Sequence, residues 1–219
     1  VSAKQPFDID TVMSRIREAV RSLPKAAMFA LADAGYDSPF EQLIACIISI
    51  RTYDEVSLPL ARRLLSRART PEQMSRLSAA EIAELISEST YSDRKAEQIR
   101  AIASQIVTEH DGVLPCDEQV MRSFKGVGPK CAHLTLGIAC AEAYISVDTH
   151  VHRVTNRWGY VQTKTPEKTT SALEAKLPRD YWIEINRLLV PFGKHICMRQ
   201  SPHCSTCPVL EMCQQVGVE

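Results

Sequence analysis

Two glycines flank a single valine in the stretch Phe124-Lys125-Gly126-Val127-Gly128-Pro129-Lys130, and no other stretch constrains this chain as strongly. A turn this tight between apparent helices leaves little room for side chains, and glycine tolerates the positive φ it demands. Pro129 suits the first position of a following helix, where its missing N–H costs nothing. The unpaired backbone N–H groups at that helix start offer a seat for a phosphate. Lys130 lies in the same first turn, where the positive helix end disfavours an ammonium. Asp148 follows eighteen residues later, beyond an apolar segment long enough to fold the chain back. A lysine biased toward its neutral form and a carboxylate together make an amine nucleophile and a proton handler. Taken alone, the G-V-G turn reads equally well as a plain corner between helices.

Helix-start signals recur along the chain. Ser38-Pro39-Phe40-Glu41 combines a capping box with proline at the first helical position, and Thr70-Pro71-Glu72-Gln73 repeats the device. Ser78-Ala79-Ala80-Glu81 is a third box, and Thr165-Pro166 opens a later helix. With only eight glycines and no long alternating strand pattern, the fold class is all-α. Helices are expected near 9–22, 39–50, 55–67, 71–76, 79–88, 93–109, 117–124, 129–141, 149–158, 166–176 and 179–192. Gly112 and Gly159 stand where helix C-terminal caps belong. Ala96, Ile99, Ile102, Ala103 and Ile106 repeat at helical spacing and mark a core face. The basic residues at 62, 63, 67 and 69 read as a solvated face.

At 219 residues the chain holds one large domain or two small ones. Lysine plus arginine balance aspartate plus glutamate at 26 each. That counts against a nucleic-acid binder, which usually carries a basic excess, although a neutral total can conceal a basic face. No run approaches the roughly 18 apolar residues of a membrane span. There is no signal-peptide pattern, so the expected location is intracellular: cytoplasmic, and nucleoid-associated if the source is bacterial.

Of eight cysteines, Cys46, Cys116, Cys131 and Cys140 are scattered and read as small buried hydrophobes. The other four, Cys197, Cys204, Cys207 and Cys213, follow a C-x6-C-x2-C-x5-C spacing. Four thiolates this close suit a tetrahedral sulfur environment, which admits zinc or an iron–sulfur cluster. Disulfides are the alternative, disfavoured in a reducing interior.

Hairpin, Lys130, Asp148 and terminal cysteines in this order resemble the endonuclease III family, helix-hairpin-helix DNA glycosylases that carry a [4Fe-4S] cluster. The likeness runs from about Pro39 to Cys213 and is strongest at 126–134, at 147–154 and in the cysteine spacing. It implies a six-helix domain over 32–140 and a cluster domain built from 1–31 and 141–219, with DNA across the groove between them. It makes Lys130 the nucleophile, Asp148 the activating carboxylate, and Cys197, Cys204, Cys207 and Cys213 the ligands of the cluster iron. Lys125, Gly126, Val127, Gly128, Arg51, Tyr91, His150, Arg153 and Arg199 become the expected DNA contacts, with Ser49 and Asp54 in the base pocket. The implied partner of this monomer is double-stranded DNA containing damaged pyrimidines or abasic sites, with no membrane. A damaged base is flipped out, Lys130 attacks the sugar C1′, and β-elimination breaks the strand.

Several departures from the family fall near the lesion. Phe124-Lys125 stands where Leu-Pro is usual. In Ser49-Ile50-Arg51-Thr52-Tyr53-Asp54, Arg51 occupies the place of the glutamine that fills the gap left by the flipped base. Thr90-Tyr91 aligns with a second wedge, usually glycine and a large apolar residue. The cluster loop, often basic, keeps Arg199 with His203. With nucleophile and carboxylate intact, an active enzyme of altered preference is expected. A DNA-binding paralogue that is non-catalytic, or limited to abasic-site cleavage, is the alternative. An adenine-mismatch glycosylase fits worse, since those lack the lysine.

Overall fold

A computed structural model describes residues 4–218. Every regular element among them is helical. Two compact units divide the chain, one over 27–142 and the other formed by the segments up to 26 and from 143 onward.

The first unit contains α2 (Ala27–Asp33), α3 (Pro39–Ser49), α4 (Asp54–Arg67), α5 (Pro71–Arg76), α6 (Ala79–Leu85), α7 (Ser92–Glu109), α8 (Glu118–Ser123) and α9 (Pro129–Ala139). Ser38, Thr70 and Ser78 each close the reciprocal box their sequences call for, so α3, α5 and α6 begin where their caps stand. Two backbone donors are satisfied at each of these starts, which is why helices as short as α5 have definite beginnings. α3 is the centre of this unit. Every residue from Phe40 to Ile48 is buried, and it packs against α2, α4, α7 and α9. α7 lays Ala96, Ile99, Ile102, Ala103 and Ile106 inward, the face its periodicity marks.

The second unit contains α1 (Ile9–Ala19), α10 (Thr149–Arg157), α11 (Pro166–Glu174) and α12 (Glu184–His195), with 3₁₀ turns at Arg179–Tyr181 and Cys204–Thr206. Its core gathers Met13 and Ile16 from α1, Val151 and Val154 from α10, Trp158, and Leu189 and Phe192 from α12. Burying each such side chain contributes roughly 1.5–3 kcal/mol, enough to hold the two distant ends of the chain as one body. Polar ties add to it: Lys4 Nζ donates to Leu210 O at 2.9 Å, and Gln5 N to Glu211 O at 2.8 Å. Phe7 sets its ring 5.0 Å from Tyr160 and 5.8 Å from Trp158.

Three expectations need correction. Residues 27–33 form a helix that no local signal announces. The carboxylate of Asp54, far along the chain, accepts from Ala27 N at 3.3 Å and serves the start of α2. The helix expected over 179–192 is instead a 3₁₀ turn followed by α12, which runs on to His195. Finally, Cys46, Cys131, Cys116 and Cys140 are not isolated buried thiols. Cys46 of α3 is bonded to Cys131 of α9, and Cys116, just ahead of α8, to Cys140 at the end of α9. Facing helices bring these pairs together, and spacing along the chain carries no trace of it.

Candidate active site and cysteine loop

The helix-hairpin-helix is built by α8, the turn at 124–128 and α9. Phe124 and Val127 are buried and anchor the turn, with Val127 N donating to Phe124 O at 3.1 Å. Gln98 of α7 braces it from outside, Nε2 donating to Lys125 O at 2.9 Å. The two glycines play different parts. Gly126 has φ 83°, and a Cβ there would meet Gln98 Nε2 at 2.8 Å. Conformation requires this glycine, since the Gln98 side chain could move aside but the positive φ could not be relieved. Gly128 is extended, with φ −96°, and a Cβ there would touch nothing. Nothing within the described residues demands that glycine.

Pro129 opens α9 as expected and Lys130 follows it, exposed, at the start of a helix whose Cys131, Ala132, Leu134 and Leu136 are buried. His133 Nε2 meets Glu118 Oε1 at 3.1 Å, fixing α9 against α8. That contact, with Arg122 beside it, holds the Glu118 carboxyl below the usual range against the opposing effect of burial.

In the second unit Asp148 is the N-cap of α10. Its Oδ1 accepts from His150 N and Val151 N, both at 2.9 Å. The expectation of a purely chemical role is therefore incomplete, since this carboxylate also starts a helix. His150 and Arg153 lie one turn along. Arg153 Nη2 donates to Gly193 O at 2.8 Å and to Cys197 O at 3.2 Å, and lies 3.2 Å from His150 Nδ1. A Cβ on Gly193 would meet His150 Nδ1 at 2.7 Å, so glycine there lets α12 approach α10. The Arg153 guanidinium is thus engaged by carbonyls of its own unit. Burial lowers its pKa, and the neighbouring Cys197 opposes the shift.

Arg51 and Tyr91, forty residues apart, come together in the first unit. Arg51 Cζ lies 6.0 Å from the centre of the Tyr91 ring, and Tyr91 is 63% exposed. Both adopt left-handed backbone, φ 54° and 60°. Ser49 Oγ turns back onto its own helix, donating to Cys46 O at 2.8 Å, and Asp54 serves α2.

Two further residues stand out only in the structure. Lys95 of α7 is only 5% exposed, and its Nζ donates to Ile48 O, Ile50 O and Thr52 Oγ1 at 2.7, 2.8 and 3.1 Å. Burial pushes its amine down to about 8. The other is Arg157, 8% exposed, which donates to Met198 O at 2.5 Å and Arg199 O at 2.8 Å and places Nη1 3.5 Å from Cys197 Sγ. Both sit in helices as ordinary polar positions, and only a polar residue breaking an apolar face could have drawn attention to them.

Arg157 shapes the loop of the last four cysteines. Cys197, Cys204, Cys207 and Cys213 are unbridged and line one cavity with Trp158, Phe192, Ile196 and Leu210. Burial pushes the Cys207 thiol up to about 11, and its three companions push the same way. The Cys213 thiol is raised by burial first, then by Cys197 and Cys204. Four thiols lining one largely apolar cavity form a donor set that suits a cationic group. Among the described residues no three metal-ligating side chains gather tightly enough to hold a single ion. The donor set fits a multinuclear thiolate-bound cluster in its chemistry.

The hairpin, its lysine-bearing helix and the cysteine loop define a class, the helix-hairpin-helix base-excision repair proteins. The model of the HhH-GPD superfamily of base excision DNA repair proteins matches residues 44–179. Endonuclease III of Thermotoga maritima is 37% identical over 176 residues, 80% of this chain and 83% of that protein. Endonuclease III-like protein 1 of Gallus gallus is 32% identical over 95% of this chain and 78% of its own length. A solved non-covalent endonuclease III–DNA complex superposes with a TM-score of 0.80 at 25% identity, covering 94% of each chain. The chain belongs to the endonuclease III family of DNA glycosylases and abasic-site lyases.

Proposed function

We propose that the protein is a bifunctional DNA N-glycosylase and abasic-site lyase, acting on oxidised pyrimidines and abasic sites in duplex DNA. The observation that carries this is Lys130, exposed in the first turn of a helix that is otherwise largely buried, directly behind the hairpin. Gly128 supports it: the protein leaves open space around this residue, and without a side chain the backbone there is accessible to a partner. A DNA phosphate at the N–H groups of the α9 start is that partner, with Lys125 alongside, fixing register without reading sequence.

In this reading the Lys130 amine attacks the sugar C1′ as the base departs with the glycosidic electrons. The ring oxygen then opens as an alkoxide and takes a proton, leaving a Schiff base. Loss of a C2′ proton expels the 3′ phosphate by β-elimination. Asp148 accepts the lysine proton and offsets positive charge on the sugar. Its Oδ1 is occupied by two N–H groups, which leaves Oδ2 for this work. Arg199 is assigned to the DNA backbone, while His150 and Arg153 act by holding α10 to α12. Ser49 and Asp54 stay with the base pocket as the family motif has them.

Arg51 and Tyr91 take the role of the wedge that fills the stack when a base is extruded. Ile50, Tyr53 and Tyr91, large apolar side chains left exposed, all lie on these two loops. A charged planar wedge fills the gap differently from glutamine, so base excision is weaker relative to abasic-site cleavage than in relatives with the usual pair. Cys197, Cys204, Cys207 and Cys213 hold a [4Fe-4S] cluster, whose place is structural, and the enzyme works as a monomer inside the cell. Among the described residues no helix is long and apolar enough to cross a membrane.

Borohydride with an abasic duplex tests the reading. A covalent protein–DNA adduct should form, and Lys130→Ala should abolish it. Undiminished trapping by that variant would move the nucleophile elsewhere.

A further inference from the structure

Lys95 occupies a position that the chemistry above does not use. A buried lysine is costly unless its charge is matched, and its desolvation alone would favour an apolar residue. Here all three protons of the ammonium find acceptors. Two are carbonyls at the C-terminal end of α3, Ile48 O and Ile50 O, where the helix leaves its carbonyls unpaired and its dipole negative. The third is Thr52 Oγ1. These acceptors bracket Arg51, the residue between Ile50 and Thr52.

The connection continues to the second loop. Thr52 Oγ1 also accepts from Thr90 N at 3.2 Å, and Thr90 Oγ1 donates to Arg51 O at 2.9 Å. Thr90 immediately precedes Tyr91. One ammonium and two threonine hydroxyls therefore stitch together the loops that carry Arg51 and Tyr91. Each of these residues is in left-handed backbone, which costs a non-glycine residue roughly 1–2 kcal/mol and persists only when its surroundings hold it. Thr90, where the family usually has glycine, supplies one of the stitches.

We infer that Lys95 is a positioning residue for substrate handling, holding Arg51 and Tyr91 side by side so that they enter the base stack as one pre-formed wedge. This rests on the wedge reading of Arg51 and Tyr91. A free pair of loops would have to be ordered at the moment of extrusion; a stitched pair has met that cost on folding. Abasic-site cleavage, which extrudes no base, depends far less on it.

Single-turnover rates on a thymine-glycol duplex and an abasic duplex test the inference, read as the ratio of excision to abasic cleavage. Arg51→Ala and Tyr91→Ala should lower the ratio, as the wedge reading requires. Lys95→Met, which keeps the stem but no donor, should lower it about tenfold, the scale of one lost charged hydrogen bond, with abasic cleavage retained. Thr90→Val removes a stitch from the exposed side without disturbing the buried amine and should lower the ratio too, while Thr90→Ser should restore it. If the wedge variants lower the ratio but Lys95→Met and Thr90→Val do not, the role of Lys95 is refuted and the wedge stands. If Arg51→Ala and Tyr91→Ala leave the ratio unchanged, both ideas fall together. Equal loss of both rates in Lys95→Met would show mere structural damage and overturn the inference. Should that variant not fold, the Thr90 pair decides alone.

Discussion

Asp148 carries two duties, and a substitution can separate them. Asparagine caps a helix as well as aspartate does, so Asp148→Asn should leave α10 and DNA binding intact. Excision and lyase rates should nevertheless fall by at least about 100-fold, the usual worth of a positioned proton carrier. An unchanged rate would reduce Asp148 to a cap. Lys95 offers a separate test in stability against pH. Its folded pKa is about 8, below the ordinary 10.5. Below about 8 the amine is protonated in folded and unfolded chains alike. Between these values the unfolded chain keeps a proton that the folded chain has released, so stability rises with pH across that window. Denaturant midpoints from pH 7 to 10.5 should show this rise, and Lys95→Met should lack it.

Helix α9 joins the hairpin to the α3 centre of the first unit, packing on α2, α3 and α8. It presents Lys130, buries Cys131 against α3, and ends at Cys140, so both disulfides have one end on or beside it. The Cys116–Cys140 bridge brackets α8, the hairpin and α9 as one closed loop. Each bridge should contribute about 2–4 kcal/mol by restricting the unfolded chain. Reductant should lower the denaturation midpoint accordingly, and Cys116→Ala with Cys140→Ala should reproduce part of the loss. A midpoint unmoved by reductant would mean that the cysteines are thiols in solution. At the hairpin, Gly126→Ala should destabilise the turn, because it needs φ 83° and crowds Gln98. Gly128→Ala should fold normally and lose DNA affinity, separating the conformational glycine from the one a phosphate requires.

For the molecule as a whole, the second unit depends on joining the two ends of the chain around the cysteine loop. Purified protein should be yellow-brown with about four irons per chain. Cys204→Ser should lower colour and solubility together, and stoichiometric zinc without iron in fresh protein would overturn the assignment. What the sequence alone determined was local. The hairpin, the boxes at Ser38, Thr70 and Ser78, and the cysteine spacing all rest on residues within a few positions of one another. Backbone donors at a helix start are met by neighbours in the same turn, so such features need no knowledge of the fold. The cap of α2 by Asp54, the hold of Lys95 on the Arg51 loop, the grip of Arg157 on the cysteine loop and the Cys46–Cys131 bridge lie beyond that reach. Each joins groups from 27 to 85 residues apart. Only tertiary structure decided them, because helix packing angle and rotation choose which side chains face each other. Those variables depend on the whole core rather than on any one segment of chain.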